Sequence, residues 1–183
     1  MLRISTVHLG KHKNILSLAV LLAVSGGVAL AAQDRFTLQV PNGLAFSDFK
    51  VYETWQDVAV SQTEKSLKVI SANSEMIDAY RQGVPGDGKH FPDGSKIVKI
   101  EWTSKKSSES PYFVMVPDTL KSVSFIEKDT KRFPDTNGWA YAQFAYDAAS
   151  ETFKPNGNDA KCGYACHTTV AAKDYIFTAY PPR

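Results

Sequence analysis

The chain has 183 residues, 43% of them hydrophobic and 22% charged, which suits a globular core and excludes a disordered or collagen-like chain. The formal net charge is +2, but the excess is terminal: Arg3, Lys11 and Lys13 precede a long apolar run, and none of the 19 acidic residues lies in the first 31 positions. Without that stretch the net charge is −1, so no basic excess remains to argue for nucleic acid.

Residues 1–31 read as a secretory signal peptide. The basic start is followed by an apolar run from Ile15 to Leu30, and Ala29 and Ala31 fit an A-x-A cleavage site. A membrane anchor is the competing reading, but Ser25, Gly26 and Gly27 interrupt the run and it is short for a span. Residues 32–183 then form a single domain. Export to the periplasm sets an oxidising compartment, in which two cysteines are bridged or otherwise used.

Taken in order, the elements are short. Residues 65–73 predict a strand ending at Asn73, with Ser74 as the cap of a helix whose face carries Met76, Ile77 and Tyr80 and whose stop is Gly83. Residues 84–95, rich in Gly and Pro, form a loop. Residues 96–102 alternate, with Val98, Ile100 and Trp102 on one face and Ile97, Lys99 and Glu101 on the other. Further strands are expected over 111–116, 120–129, 138–147 and 174–180, with a short helix over 162–173. The fold class is α+β: an antiparallel sheet of about five strands with helices on one side.

Both cysteines lie in "KCGYACHTTV", residues 161–170. A zinc site needs about four ligands, and only Cys162, Cys166, His167 and His90 are present after residue 31. A redox dithiol belongs early in a βαβ unit, and this chain shows none. Two readings stay open. One is a disulfide between Cys162 and Cys166, closing a very short loop. The other is covalent haem attachment, in which C-x₃-C-H departs from the usual C-x-x-C-H by one residue. On a helix, positions i and i+4 share a face, so two thioethers to one porphyrin remain feasible, and His167 would ligate the iron. No Met or His follows His167, which leaves His90, Met76 and Met115 as candidates for a sixth ligand. Each has a plainer explanation: Met76 and Met115 in apolar packing, and His90 in an exposed loop. An open distal position follows if haem is bound.

The segments "FPDGSKIVKIEW" (91–102), "KRFPDTNGWAYAQFAYD" (131–147) and "CGYACHTTV" give the chain a resemblance to the cytochrome P-460 family, which includes the cytochromes c′-beta. The resemblance runs from "FSDFKVYETW" (46–55) to the C-terminus. It implies a five-stranded antiparallel sheet with flanking helices and a c-type haem near the C-terminus, held by Cys162, Cys166 and His167; the extra residue between the cysteines leaves one thioether open. It also implies one of two activities. P-460 enzymes carry a lysine bonded to the porphyrin and oxidise hydroxylamine with help from a distal carboxylate. The c′-beta proteins lack that bond, have an apolar distal pocket, and bind nitric oxide or carbon monoxide. By landmark positions the lysine is similar in place to Lys68 and the carboxylate to Glu101, which should then be desolvated with a raised pKa. The partners expected are a small nitrogen compound, a periplasmic electron-transfer protein and a second copy in a homodimer.

Overall fold

The computed structural model describes residues 32–183; the export segment expected over 1–31 lies outside the described residues. Six strands form one antiparallel sheet in sequence order: β1 (Gln56–Gln62), β2 (Ser66–Ala72), β3 (Lys96–Lys106), β4 (Met115–Lys128), β5 (Trp139–Asp147) and β6 (Thr152–Asn156). Among the described residues there are two short α-helices, α1 (Ser74–Arg81) and α2 (Tyr164–His167).

Alternation splits the sheet into two apolar faces. Val98, Val123, Phe125, Ala142 and Phe144 point one way. Their cover is the N-terminal segment, which brings in Val40, Leu44, Phe46, Phe49 and Tyr52. Phe49 stacks on Phe125 at 4.1 Å, and the Phe46 ring meets Phe144 and Phe125 at 4.9 and 5.1 Å. Such offset and edge contacts add to the area term that dominates burial. The opposite face presents Ile70, Ile97, Trp139 and Tyr141, covered by Met76, Ile77 and Tyr80 of α1 and by Ile176 of the C-terminal tail. Both helices lie on this second face.

The sheet has one strand more than expected. β1 and β6 are edge strands in which only Val58 and Phe153 are buried, so their alternation is weak in the sequence. The strands expected at 111–116 and 120–129 are instead one strand, β4, starting at Met115. Residues 107–114 form the β3–β4 loop because Ser side chains capture local backbone donors: Ser107 Oγ accepts from Glu109 N and Ser110 N, and Ser110 Oγ from Tyr112 N. The strand expected at 174–180 does not form. Asp174 and Tyr175 are both left-handed, at φ 48° and 64°, and no ladder continues through that conformation.

The cap of α1 is Asn73 rather than Ser74. Asn73 Oδ1 accepts from Met76 N at 3.3 Å and from Lys96 N at 2.9 Å, while Nδ2 donates to Gly94 O at 2.8 Å. One amide thus closes the helix start and joins it to β3. The helix ends as expected at Gly83: its φ of +86° permits bonds from Gly83 N to Tyr80 O and from Val84 N to Ala79 O.

Candidate functional site

A cavity of about 470 Å³ opens on the second face of the sheet. Its floor is built by strand register. Lys68 pairs with Glu101, Ile70 with Lys99, Lys99 with Ser124, Ser124 with Gln143 and Ile126 with Tyr141, so these side chains share one face. All of them except Glu101 line the cavity. Its wall is the cysteine segment, with Cys162, Gly163, Cys166 and His167, and the returning tail with Phe177 and Thr178. Residues far apart in sequence, Lys68 on β2 and the 162–167 segment, therefore meet in one site. The two cysteines are free thiols, and no disulfide joins them.

The wall approaches the floor closely because position 163 has no side chain. A Cβ there would lie 2.8 Å from two ring carbons of Tyr141. His167 sits over the same ring, with centroids 4.6 Å apart, and Phe177 meets its edge at 4.9 Å. His167 Nδ1 donates to the carbonyl of Tyr175. That bond places the proton on Nδ1 and leaves the lone pair on Nε2. Burial pushes the imidazole pKa down; the Tyr175 bond opposes this and the charge of Lys99 adds to it, so the ring is held towards its neutral, metal-binding form.

The residues expected to matter fall into three groups. Cys162, Cys166, His167 and Lys68 come together around the cavity. Glu101 lies beside Lys68 on the next strand but outside the lining, where Lys121 Nζ donates to it at 3.0 Å. Its pKa departs from the expected direction. Burial alone would raise it, but hydrogen bonds from Lys121 and Ser66 and the charge of Lys68 outweigh that and hold the carboxyl below its ordinary value. His90, Met76 and Met115 are absent from the lining. Met76 is fully buried beneath α1, and His90 Nδ1 rests 2.9 Å from Asp174 Oδ1.

Lys99 was not singled out from the sequence, though its place in the Ile97–Lys99–Glu101 alternation was the available signal. It lines the cavity, and burial lowers its pKa, opposed by Glu101 and aided by Lys68 and Lys121. The Tyr175 carbonyl carried no signal, since any residue supplies one.

No curated protein matches the chain. Residues 49–178 match the family model described as Cytochrome P460, a span that includes the whole sheet, both helices, Lys68 and the cysteine segment. The chain therefore belongs to the cytochrome P460 family, a family of haem proteins that implies a c-type haem with iron.

Proposed function

We propose that the chain is an exported c-type haem protein that oxidises hydroxylamine or a related small nitrogen compound. The observation that carries this reading is the convergence of two thiols, a neutral imidazole and two lysines on one cavity. The donor set fits the group. Cys162 and Cys166 supply the thiols for thioether attachment, and His167 offers Nε2 to iron. The Tyr141 hydroxyl, buried at the cavity without a partner among the described residues, suits a polar bound molecule. The volume lies within the usual range for ligand pockets, roughly 300–1,000 Å³. The haem, when bound, supplies the electron acceptor for the substrate.

The protein's own residues handle protons and exclusion of water. Oxidation of a hydroxylamine nitrogen releases a proton with each electron, and these must leave a pocket floored partly by Ile70, Ile97 and Ile126. Lys68 lines the pocket and is the candidate for an additional bond to the porphyrin; Glu101, one cross-strand step away, is held ionised by Lys121 outside the lining, so it would take protons only once they have left the pocket. The lysines and the polar Ser124 and Gln143 favour oxidation over simple gas binding, for which a wholly apolar floor would suffice. The apolar run and A-x-A site before residue 32 support export to the periplasm, where an electron-transfer protein would take the electrons.

The test begins with expression alongside the cytochrome c maturation machinery, haem staining of the denatured band, and hydroxylamine-dependent reduction of an artificial acceptor. Stained protein with turnover supports the reading. Loss of haem on denaturation refutes covalent attachment. Stained protein that binds nitric oxide but does not turn over hydroxylamine refutes the enzymatic reading in favour of a gas-binding role. Mass spectrometry of a digest identifies the lysine: haem joined to peptides around 68 and 162–167 supports Lys68, whereas a peptide around 99 transfers the role to Lys99.

A further inference from the structure

Beneath the cavity wall lies a buried ionic cluster that touches none of the cavity-lining cysteines. The Asp174 carboxylate, with a side chain 1% exposed, accepts from Lys128 Nζ at 3.0 and 3.3 Å, from Trp139 Nε1 at 3.2 Å and from Phe91 N at 2.8 Å. His90 Nδ1 completes the shell at 2.9 Å. Lys128 is itself 4% exposed; it also donates to Asn137 O at 2.9 Å and lies 4.8 Å from the centroid of the Trp139 ring. A buried ion pair persists when its remaining donors and acceptors are satisfied, and here they are. Burial of this kind is weak evidence for a gain in stability, so the cluster calls for another explanation.

The backbone supplies it. Asp174 and the next residue, Tyr175, both occupy the left-handed region, which costs free energy for residues with a Cβ and persists only where the surroundings impose it. The Asp174 side chain is bonded to β4, to β5 and to the Phe91 backbone, and so fixes the first residue of the turn. The Tyr175 ring stacks on Tyr164 with centroids 5.3 Å apart, and Tyr175 N donates to Val170 O, which fixes the second. The product of this turn is the Tyr175 carbonyl that accepts from His167 Nδ1.

We infer that Asp174, paired with Lys128, is a positioning residue for His167: it locks the strained turn whose carbonyl sets the tautomer, rotation and basicity of the imidazole. The inference rests on the reading of His167 as the iron ligand. A ligand histidine whose far nitrogen donates to a fixed acceptor is a stronger electron donor at its near nitrogen. Releasing the turn weakens that bond and so weakens donation to iron. The cluster thus acts on the haem at a distance, from the sheet through a single backbone carbonyl.

The test compares the holoprotein with Asp174→Asn, reading the iron–histidine stretching frequency of the ferrous haem by resonance Raman and the midpoint potential. Haem staining of the denatured band provides the attachment control. The expected result is a lower stretching frequency and a raised potential with attachment unchanged. Asp174→Asn leaves Lys128 buried without its counter-charge, so Asp174→Asn combined with Lys128→Met, which removes both charges, guards against simple misfolding. In that pair the single Asn oxygen can accept from Phe91 N or from Trp139 Nε1 but not from both, and no unpaired charge is left buried, so both readouts should shift in the same direction by a smaller amount. A folded variant of either kind with wild-type frequency and potential overturns the inference. His167→Ala separates the underlying reading: an iron–histidine band that survives this change shows that His167 is not the ligand, and both the axial assignment and the positioning role fall.

Discussion

Replacing Gly163 by alanine sets two effects of opposite sign against each other. Gly163 has φ −91° and ψ −16°, an ordinary conformation for any residue, so no backbone strain is introduced. Restricting the unfolded chain there would stabilise the fold by about 0.4–1 kcal/mol. Against this, the new Cβ would lie 2.8 Å from Cγ and Cδ1 of Tyr141 and 2.9 Å from its Cβ. Carbon atoms rest at roughly 3.5–4.0 Å, so the wall or the ring must move by about 1 Å. Tyr141 is 4% exposed, is held in β5 and packs against His167, so the ring has little room to yield. Overpacking of this kind costs about 1–3 kcal/mol and wins, for a net loss of about 1–2 kcal/mol. In a domain of this size that lowers the melting temperature by roughly 2–8 °C. Thermal unfolding followed by circular dichroism measures it, with Gly86→Ala as the control because a Cβ there meets nothing within 4 Å. The displaced wall also carries Cys162 and Cys166, so the fraction of chains carrying covalent haem should fall. A Gly163→Ala protein that melts at or above the wild-type temperature with full haem would refute the claim that Gly163 sets the approach of the wall to the floor.

Asn73→Ala removes the α1 cap and strands Lys96 N, so it should cost about 1–2 kcal/mol, read as a lower urea midpoint at unchanged slope. Phe46→Ala should cost about 3–5 kcal/mol yet leave the haem spectrum unaltered, because the ring is packed on the face away from the cavity; a shifted spectrum contradicts the two-face arrangement. Glu101 has a folded-state pKa below its unfolded value, so its contribution to stability is present above the ordinary carboxylate pKa and is lost as pH falls through the lower one. Stability curves of wild type and Glu101→Gln should therefore run parallel near neutrality and converge below about pH 4; curves that stay parallel into acid would remove the Lys121 and Ser66 bonds from the account.

The strong alternations were legible because burial on one side of a strand writes a period of two into the sequence: Val98, Ile100 and Trp102 against Ile97, Lys99 and Glu101 gave the faces of β3 correctly. The edges β1 and β6 were not, since each buries only one side chain, Val58 and Phe153, and a single buried position writes no period into the sequence. The tail at 174–180 has strand-like composition, yet Asp174 turns it aside by bonding to Lys128, Trp139 and the Phe91 backbone.

By itself, the sequence determined the chemistry available: two cysteines and a histidine in one short segment, lysines and a carboxylate on alternating strand positions, and an apolar run before residue 32. These are local properties, fixed by covalent order and by the two periods of secondary structure. Only the tertiary structure decided which of them meet. Register across β2 and β3 placed Glu101 beside Lys68 but left it paired with Lys121 outside the cavity, and brought Lys99 inside. The side-chain-free contact at Gly163 and the left-handed turn at Asp174 and Tyr175 then set the position and protonation of His167. Distances between residues remote in sequence depend on packing of the whole sheet, and no local pattern encodes them.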